Sequence, residues 1–77
     1  MVIKILGGGC SKCKKLEQNA IKAAEEVGID YKIVKVTDMN DIMTYGVPMT
    51  PALVIDEEVK SVGHVISSDK IKQFFNK

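Results

Sequence analysis

Cys10 and Cys13 are the only cysteines in this chain of 77 residues, and they stand in the stretch GGGCSKC. Two thiols separated by two residues can close a structural disulfide, bind a soft metal ion or exchange electrons with another disulfide. The elements that position the two side chains, and the residues around them, decide between these chemistries.

The cysteines lie where a predicted strand gives way to a predicted helix. The β-branched run 2–6 stops at three glycines and reads as a buried strand. From Ser11 the apolar residues recur at helical spacing, and Gly28 suits the end of that helix. The apolar face of the helix would consist of Cys13, Leu16, Ala20, Ala23, Ala24 and Val27.

A second strand is predicted over residues 29–36. Asp38 is a candidate N-cap for a short helix that stops at Gly46, and Met39 and Met43 within it have the spacing of packing residues.

Residues 52–55 and 59–62 form a predicted antiparallel pair joined by a turn at 56–58. Ser67 or Ser68 would cap a last helix. Its inward-facing residues would be Ile71, Phe74 and Phe75.

The predicted order is therefore β-α-β-α-β-β-α, an α/β arrangement with a four-stranded mixed sheet flanked by three helices. A chain of 77 residues is short for a second hydrophobic core, so we expect a single domain over residues 1–77.

Composition argues against several classes of function. The net charge is only +1 and all 11 basic residues are lysines, which disfavours a nucleic-acid partner. No apolar run approaches the length of about 18 residues that a membrane span needs, and the N-terminus does not resemble a signal peptide. We expect a cytoplasmic monomer, in a compartment where structural disulfides are kept reduced.

Cys10 falls at the predicted helix start, where unpaired N–H groups and the helix dipole favour a thiolate. Lys12, with Lys14 and Lys15 in the same turn, acts in the same direction. Cys13 would point back along the helix toward the core. This arrangement makes Cys10 the exposed attacking thiol and Cys13 the sheltered resolving thiol, while Gly9 lets the backbone of a partner approach.

Other interpretations of the two cysteines stay open. They are consistent with packed thiols that have no chemical role. They are also consistent with a Cu(I) or other soft-metal site, whereas a closed zinc site would need ligands beyond the lone His64.

Thr50 and Pro51 stand directly before the third predicted strand. Taken together, Gly9-Cys10-Ser11-Lys12-Cys13 and the later Thr50-Pro51-Ala52-Leu53-Val54 resemble the thioredoxin superfamily. More narrowly, the chain is similar in its length and in the order of its elements to the small archaeal and bacterial thioredoxin-like proteins called redox-active disulfide proteins.

The resemblance implies a thiol–disulfide oxidoreductase of thioredoxin or glutaredoxin type that needs no bound cofactor. It implies that Cys10 is the nucleophile and that Cys13 resolves the mixed disulfide. It further implies that the Thr50–Pro51 peptide is cis beside the thiols, with the Thr50 backbone pairing with an extended substrate. Met49, next to Thr50, is a candidate to flank that groove. The implied partners are a disulfide-containing protein or small molecule and a recycling reductase or low-molecular-weight thiol.

The chain also departs from the thioredoxin pattern. Full-length thioredoxins have a tryptophan before the first cysteine and a proline between the two, and this chain has neither. Thioredoxins also place a buried acid in the strand under the site, where this chain has Lys4, so the route by which Cys13 loses its proton stays open.

Two rival functions follow from the same motif. Copper-carrying modules share a Cys-x-x-Cys after the first strand, but they have the order βαββαβ and a methionine at the position of Gly8. A redox-controlled binding module without turnover is the other alternative.

Overall fold

The computed structural model describes residues 1–7 and 11–75. It contains the predicted elements in the predicted order, and the fold class is confirmed. The elements are β1 (Val2–Leu6), α1 (Ser11–Val27), β2 (Lys32–Val36), α2 (Met39–Thr44), β3 (Ala52–Ile55), β4 (Glu58–Val62) and α3 (Ser68–Phe75).

The four strands form one mixed sheet in the order β2-β1-β3-β4. β1 pairs in parallel with β2 and antiparallel with β3, and β3 pairs antiparallel with β4. The parallel pair is joined through α1, as a parallel connection requires a crossover. β1 is therefore an inner strand, and Gly7 follows its carboxyl end.

Side chains on the two faces of the sheet form two separate hydrophobic clusters, because successive residues of a strand point to opposite faces. On one face, Ile3 and Ile5 of β1 pack with the buried residues of α1 and with Ile71 of α3. On the other face, Leu6 packs with Ile42 of α2 and with the neighbouring Val47. The three helices thus cover both faces of the sheet.

The helix boundaries follow the predicted capping residues. Gly28 has a φ of +80°, and its N–H donates to the Ala24 carbonyl oxygen at 3.0 Å. The Asp38 carboxylate accepts hydrogen bonds from the N–H groups of Asn40 at 2.8 Å and Asp41 at 3.4 Å, as an N-cap does. Of the two serine candidates, Ser67 is the cap of α3, since its hydroxyl accepts from the Lys70 N–H.

Two predicted strand boundaries were wrong. β2 begins at Lys32 instead of residue 29. Lys32 lies opposite Val2, the first residue of β1, and its N–H donates to the Met1 carbonyl oxygen, so residues 29–31 have no strand residue opposite them. β4 begins at Glu58 instead of residue 59. The turn that precedes it needs only Asp56 and Glu57, whose φ angles are +50° and +69°, so Glu58 already pairs with Ile55.

Three apolar residues predicted to face the core are exposed instead. Val27 is 37% exposed because it is the last residue of α1, where the chain turns away at Gly28. Met39 and Met43 are 67% and 65% exposed. The helix that carries them has only six residues and buries Ile42 alone, so its other apolar side chains lie on the surface.

Candidate functional site

Cys13 lies in the first turns of α1 and is 4% exposed, so it is sheltered, as its place on the apolar helix face predicted. Gly7, at the end of β1, lies directly against it. A methyl group at Gly7 would overlap the Cys13 sulfur and would lie 3.6 Å from the Thr50 Cβ. The absence of a side chain at Gly7 therefore allows Cys13 and Thr50 to approach each other. The predicted site residues Cys10 and Gly9 lie outside the described residues.

The peptide bond between Thr50 and Pro51 is cis. Pro51 is fully buried at the start of β3, and its carbonyl oxygen accepts a hydrogen bond of 2.7 Å from the Gly63 N–H. Thr50 itself is exposed. The chain thus presents Thr50 at the surface while the following proline anchors the loop to the sheet.

Met49 is 58% exposed beside the same loop. Its side chain lies against Gly63, where a Cβ atom would come within 2.6 Å of the Met49 sulfur. Gly63 has a φ of +76°, so its backbone conformation also favours glycine.

An open groove runs from Thr50 along α2. We call it the methionine groove, because three exposed methionines line it: Met39, Met43 and Met49. Ile42, Val47 and Pro48 also line it. Met49 and Thr50 thus line one groove together with Met39 and Met43, which sequence patterns assigned to the core.

Cys13 also lines a partly open cavity of about 40 Å³ between α1 and β2. Glu17 and Lys35 line the same cavity, and the Glu17 carboxylate lies 3.3 Å from the Lys35 ammonium. Lys12 is exposed on α1, while Lys14 contributes to the cavity wall. Sequence analysis did not single out Glu17, although its position four residues after Cys13 placed both on one helix face.

Lys4 points to the opposite face of the sheet from Ile5 and joins a polar network there. Its ammonium donates to the Tyr45 hydroxyl at 2.7 Å and lies 2.5 Å from the Glu57 carboxylate. Hydrogen bonds to Glu57 and then to Tyr45 raise the pKa of Lys4 to about 12, and the bond from Lys4 lowers the pKa of Glu57. The strand residue under the site is thus a lysine held by partners on the α2 side.

His64 is exposed in the loop between β4 and α3. Across residues 1–7 and 11–75, no group of three or more histidine, cysteine, aspartate or glutamate side chains is arranged to hold a metal ion. Within the same residues, no helix has the length and apolar character needed to cross a membrane.

Comparison with known proteins agrees with this fold. A family model described as a thioredoxin domain matches residues 1–76. The chain is 40% identical over 76 residues to a thioredoxin of Methanothermobacter thermautotrophicus, covering 99% of each chain. It is 44% identical over 73 residues to a thioredoxin of Methanocaldococcus jannaschii, covering 95% of this chain and 84% of that protein.

The fold and these matches define a small thioredoxin-like redox protein. The chain belongs to the thioredoxin domain family.

Proposed function

We propose that this chain is a thiol–disulfide oxidoreductase that uses Cys10 and Cys13 to exchange with disulfides of proteins or small molecules. The observation that carries the proposal is that a side chain at Gly7 would meet both the buried Cys13 and the exposed Thr50, so the two residues lie on either side of this glycine. It brings a sheltered thiol next to an accessible backbone segment. A resolving thiol and a substrate-pairing segment need this proximity.

In the proposed reaction, the Cys10 thiolate attacks one sulfur of the partner disulfide. A bond forms between Cys10 and that sulfur, and the other partner sulfur leaves as a thiolate. Cys13 then loses its proton and attacks the Cys10 sulfur, so that a Cys10–Cys13 disulfide forms and the second partner thiolate leaves. The partner gains two electrons and this chain loses them.

Lys12 favours the Cys10 thiolate in this proposal, and Gly9 gives the partner backbone room to approach. Thr50 and Pro51 pair with an extended segment of the partner, and Met49 with the rest of the methionine groove receives its apolar side chains. This assignment is supported by the exposure of Thr50 and of the three methionines that line the same groove.

The proposed partners are a disulfide-containing substrate and a reductase or low-molecular-weight thiol that restores the dithiol. We further propose that the chain acts as a cytoplasmic monomer, because a reducing compartment supplies such recycling systems. A copper-carrying role gains no support from the order of the elements, which is β-α-β-α-β-β-α and not βαββαβ.

A trapping experiment tests the proposal. Cys13→Ser and Cys10→Ser each retain a single thiol, because the chain has two cysteines. Each variant is mixed with a disulfide-bonded peptide in the presence of a chelator and analysed by intact mass. We expect a stable mixed disulfide with Cys13→Ser and little reaction with Cys10→Ser, because the remaining Cys13 is buried.

The double serine variant is the control for non-covalent adducts. Equal and slow reaction of both single variants would reject the proposal, and peptide binding without loss of the peptide disulfide would favour a redox-controlled binding module.

A further inference from the structure

The cavity beside Cys13 contains an acid–base group that the proposed exchange does not yet use. Its volume of about 40 Å³ exceeds the space of about 10–15 Å³ that one water molecule needs. Cys13 and Glu17 line it from α1, and Lys35 lines it from β2. Within the described residues, Glu17 is the only carboxylate in this lining.

The direction of the Glu17 side chain follows from the backbone. Residues four apart on a helix lie on the same face, so Glu17 stands one turn beyond Cys13. Lys35 is the neighbour of Ile5 across the parallel β1–β2 pair, and its side chain therefore points to the α1 side of the sheet. The ion pair of 3.3 Å joins the two elements and leaves the Glu17 side chain only 17% exposed.

Lys4 cannot serve the same purpose from the strand. It lies on the other face of the sheet, where Tyr45 and Glu57 hold its ammonium. The strand thus supplies a cation directed away from Cys13, whereas the helix supplies a carboxylate that shares a cavity with Cys13.

We propose that Glu17 accepts the proton of the Cys13 thiol through water in this cavity. The inference rests on the proposed function. Once Cys10 carries the mixed disulfide, the Cys13 S–H proton passes to the Glu17 carboxylate, and the Cys13 thiolate attacks the Cys10 sulfur. The bond between Cys10 and the partner breaks, and the partner leaves as a thiolate that takes a proton from solvent or from Glu17. In reduction of the Cys10–Cys13 disulfide, Glu17 returns the proton to Cys13.

Lys35 acts as a positioning residue in this scheme. Its ion pair holds the carboxylate at the cavity, and because its own side chain is 59% exposed it can turn toward solvent when Glu17 becomes neutral. Lys14 is the other charged group that lines the cavity.

The two steps of exchange can be followed separately with 5,5′-dithiobis(2-nitrobenzoic acid), which releases one coloured thiolate in each step. We expect Glu17→Gln to leave the first release unchanged and to slow the second by about 100-fold near neutral pH, the lower range for loss of a general base. The difference in the rate of the second release between Glu17→Gln and the wild-type protein should shrink as pH approaches the ordinary thiol pKa of about 8.5, because hydroxide then removes the Cys13 proton.

Glu17→Asp keeps a carboxylate at the cavity and should retain most of the second rate. Glu25→Gln is the control for charge, since Glu25 is an exposed carboxylate on the same helix. A melting curve of each variant checks that the fold is intact. If Glu17→Gln does not fold, the rate of the second release is measured for Glu17→Asp across the same pH range.

Whether Glu17→Gln slows or accelerates the second release distinguishes a proton acceptor from a carboxylate that acts only through its negative charge. If Glu17 only contributes charge, its removal favours the Cys13 thiolate and the second release becomes faster. An unchanged or faster second release in Glu17→Gln would overturn the inference while leaving the proposed function intact. Absence of the first release in the wild-type protein would instead reject the proposed function itself.

Discussion

Met49 lies beside Thr50, the residue that we propose pairs with a partner. It is 58% exposed, contacts Gly63 and precedes Thr50, so a partner segment paired with Thr50 would cover its side chain. Burial of a methionine side chain is worth about 1.5–3 kcal/mol, which is enough to affect the rate of exchange with a bound partner.

We therefore expect Met49→Lys to slow exchange with a disulfide peptide that has apolar flanking residues by about tenfold, corresponding to ~1.4 kcal/mol. Exchange with a small neutral disulfide such as hydroxyethyl disulfide should not change, because it does not reach the groove. Stopped-flow measurement of both substrates gives the comparison. Val27→Lys, an equivalent change at the far end of α1, should affect neither, and equal slowing of both substrates by Met49→Lys would contradict a role in recognition.

Residue types alone predicted part of the site and not the rest. The burial of Cys13 followed from its place on the apolar face of α1. Glu17 was visible at the same helical spacing, but only the position of Lys35 in β2 determines that it faces a cavity and not solvent. The exposure of Met39 and Met43 was not predictable from spacing, because apolar periodicity does not show how much of a short helix the sheet can cover.

At the scale of elements, α2 depends on its N-terminal cap. The helix has six residues, fewer than an isolated helix needs to be stable, and it carries two of the methionines of the groove. The Asp38 carboxylate satisfies two N–H groups that the helix cannot pair internally.

We expect Asp38→Ala to lower the free energy of unfolding by about 1 kcal/mol, as measured by urea denaturation, because both capping hydrogen bonds are lost. Asp38→Asn should retain most of this stability, since asparagine caps as well as aspartate. Asp30→Ala, which removes an exposed aspartate outside any cap, is the matched control. If Asp38→Asn lowered the free energy of unfolding as much as Asp38→Ala, the stabilisation by Asp38 would come from its charge and not from capping.

The sequence predicted the elements well where several local signals agreed. The apolar pattern changes from strand to helical spacing between β1 and α1, and glycines follow both elements. Both have the predicted bounds, although Val27 at the end of α1 is exposed. The bounds of β2 and β4 depend on which residues lie opposite them, and such pairing is decided by the tertiary structure.

At the scale of the whole molecule, Lys4, Tyr45 and Glu57 connect three distant parts of the chain: the inner strand β1, the end of α2 and the turn between β3 and β4. The pKa of Glu57 is lowered from its usual 4.5, so the stability it contributes is present above pH 4.5 and is lost as pH falls through the lowered value. The pKa of Lys4 is raised, so its contribution is present below pH 10.5 and is lost as pH rises through about 12.

A double-mutant cycle with Lys4→Met and Glu57→Gln should therefore show a favourable coupling near neutral pH that disappears in acid, where Glu57 is protonated. Denaturant unfolding at a series of pH values measures it. The same cycle with Lys22→Met and Glu26→Gln, a pair 4.0 Å apart on the surface of α1, should show much weaker coupling. Coupling of Lys4 and Glu57 that is independent of pH would contradict the ionic origin.

The two hydrophobic clusters differ in size. Among the described residues, the cluster under α1 and α3 has nine buried members and the cluster under α2 has five. Fluctuations that lift α2 from the sheet therefore cost less than those that separate α1 from it. Such movements of α2 would change the shape of the methionine groove without moving Cys13 relative to the sheet. Flexible methionines on a compliant surface can adapt to partners of different shape, so one rigid reactive centre would serve a range of disulfides.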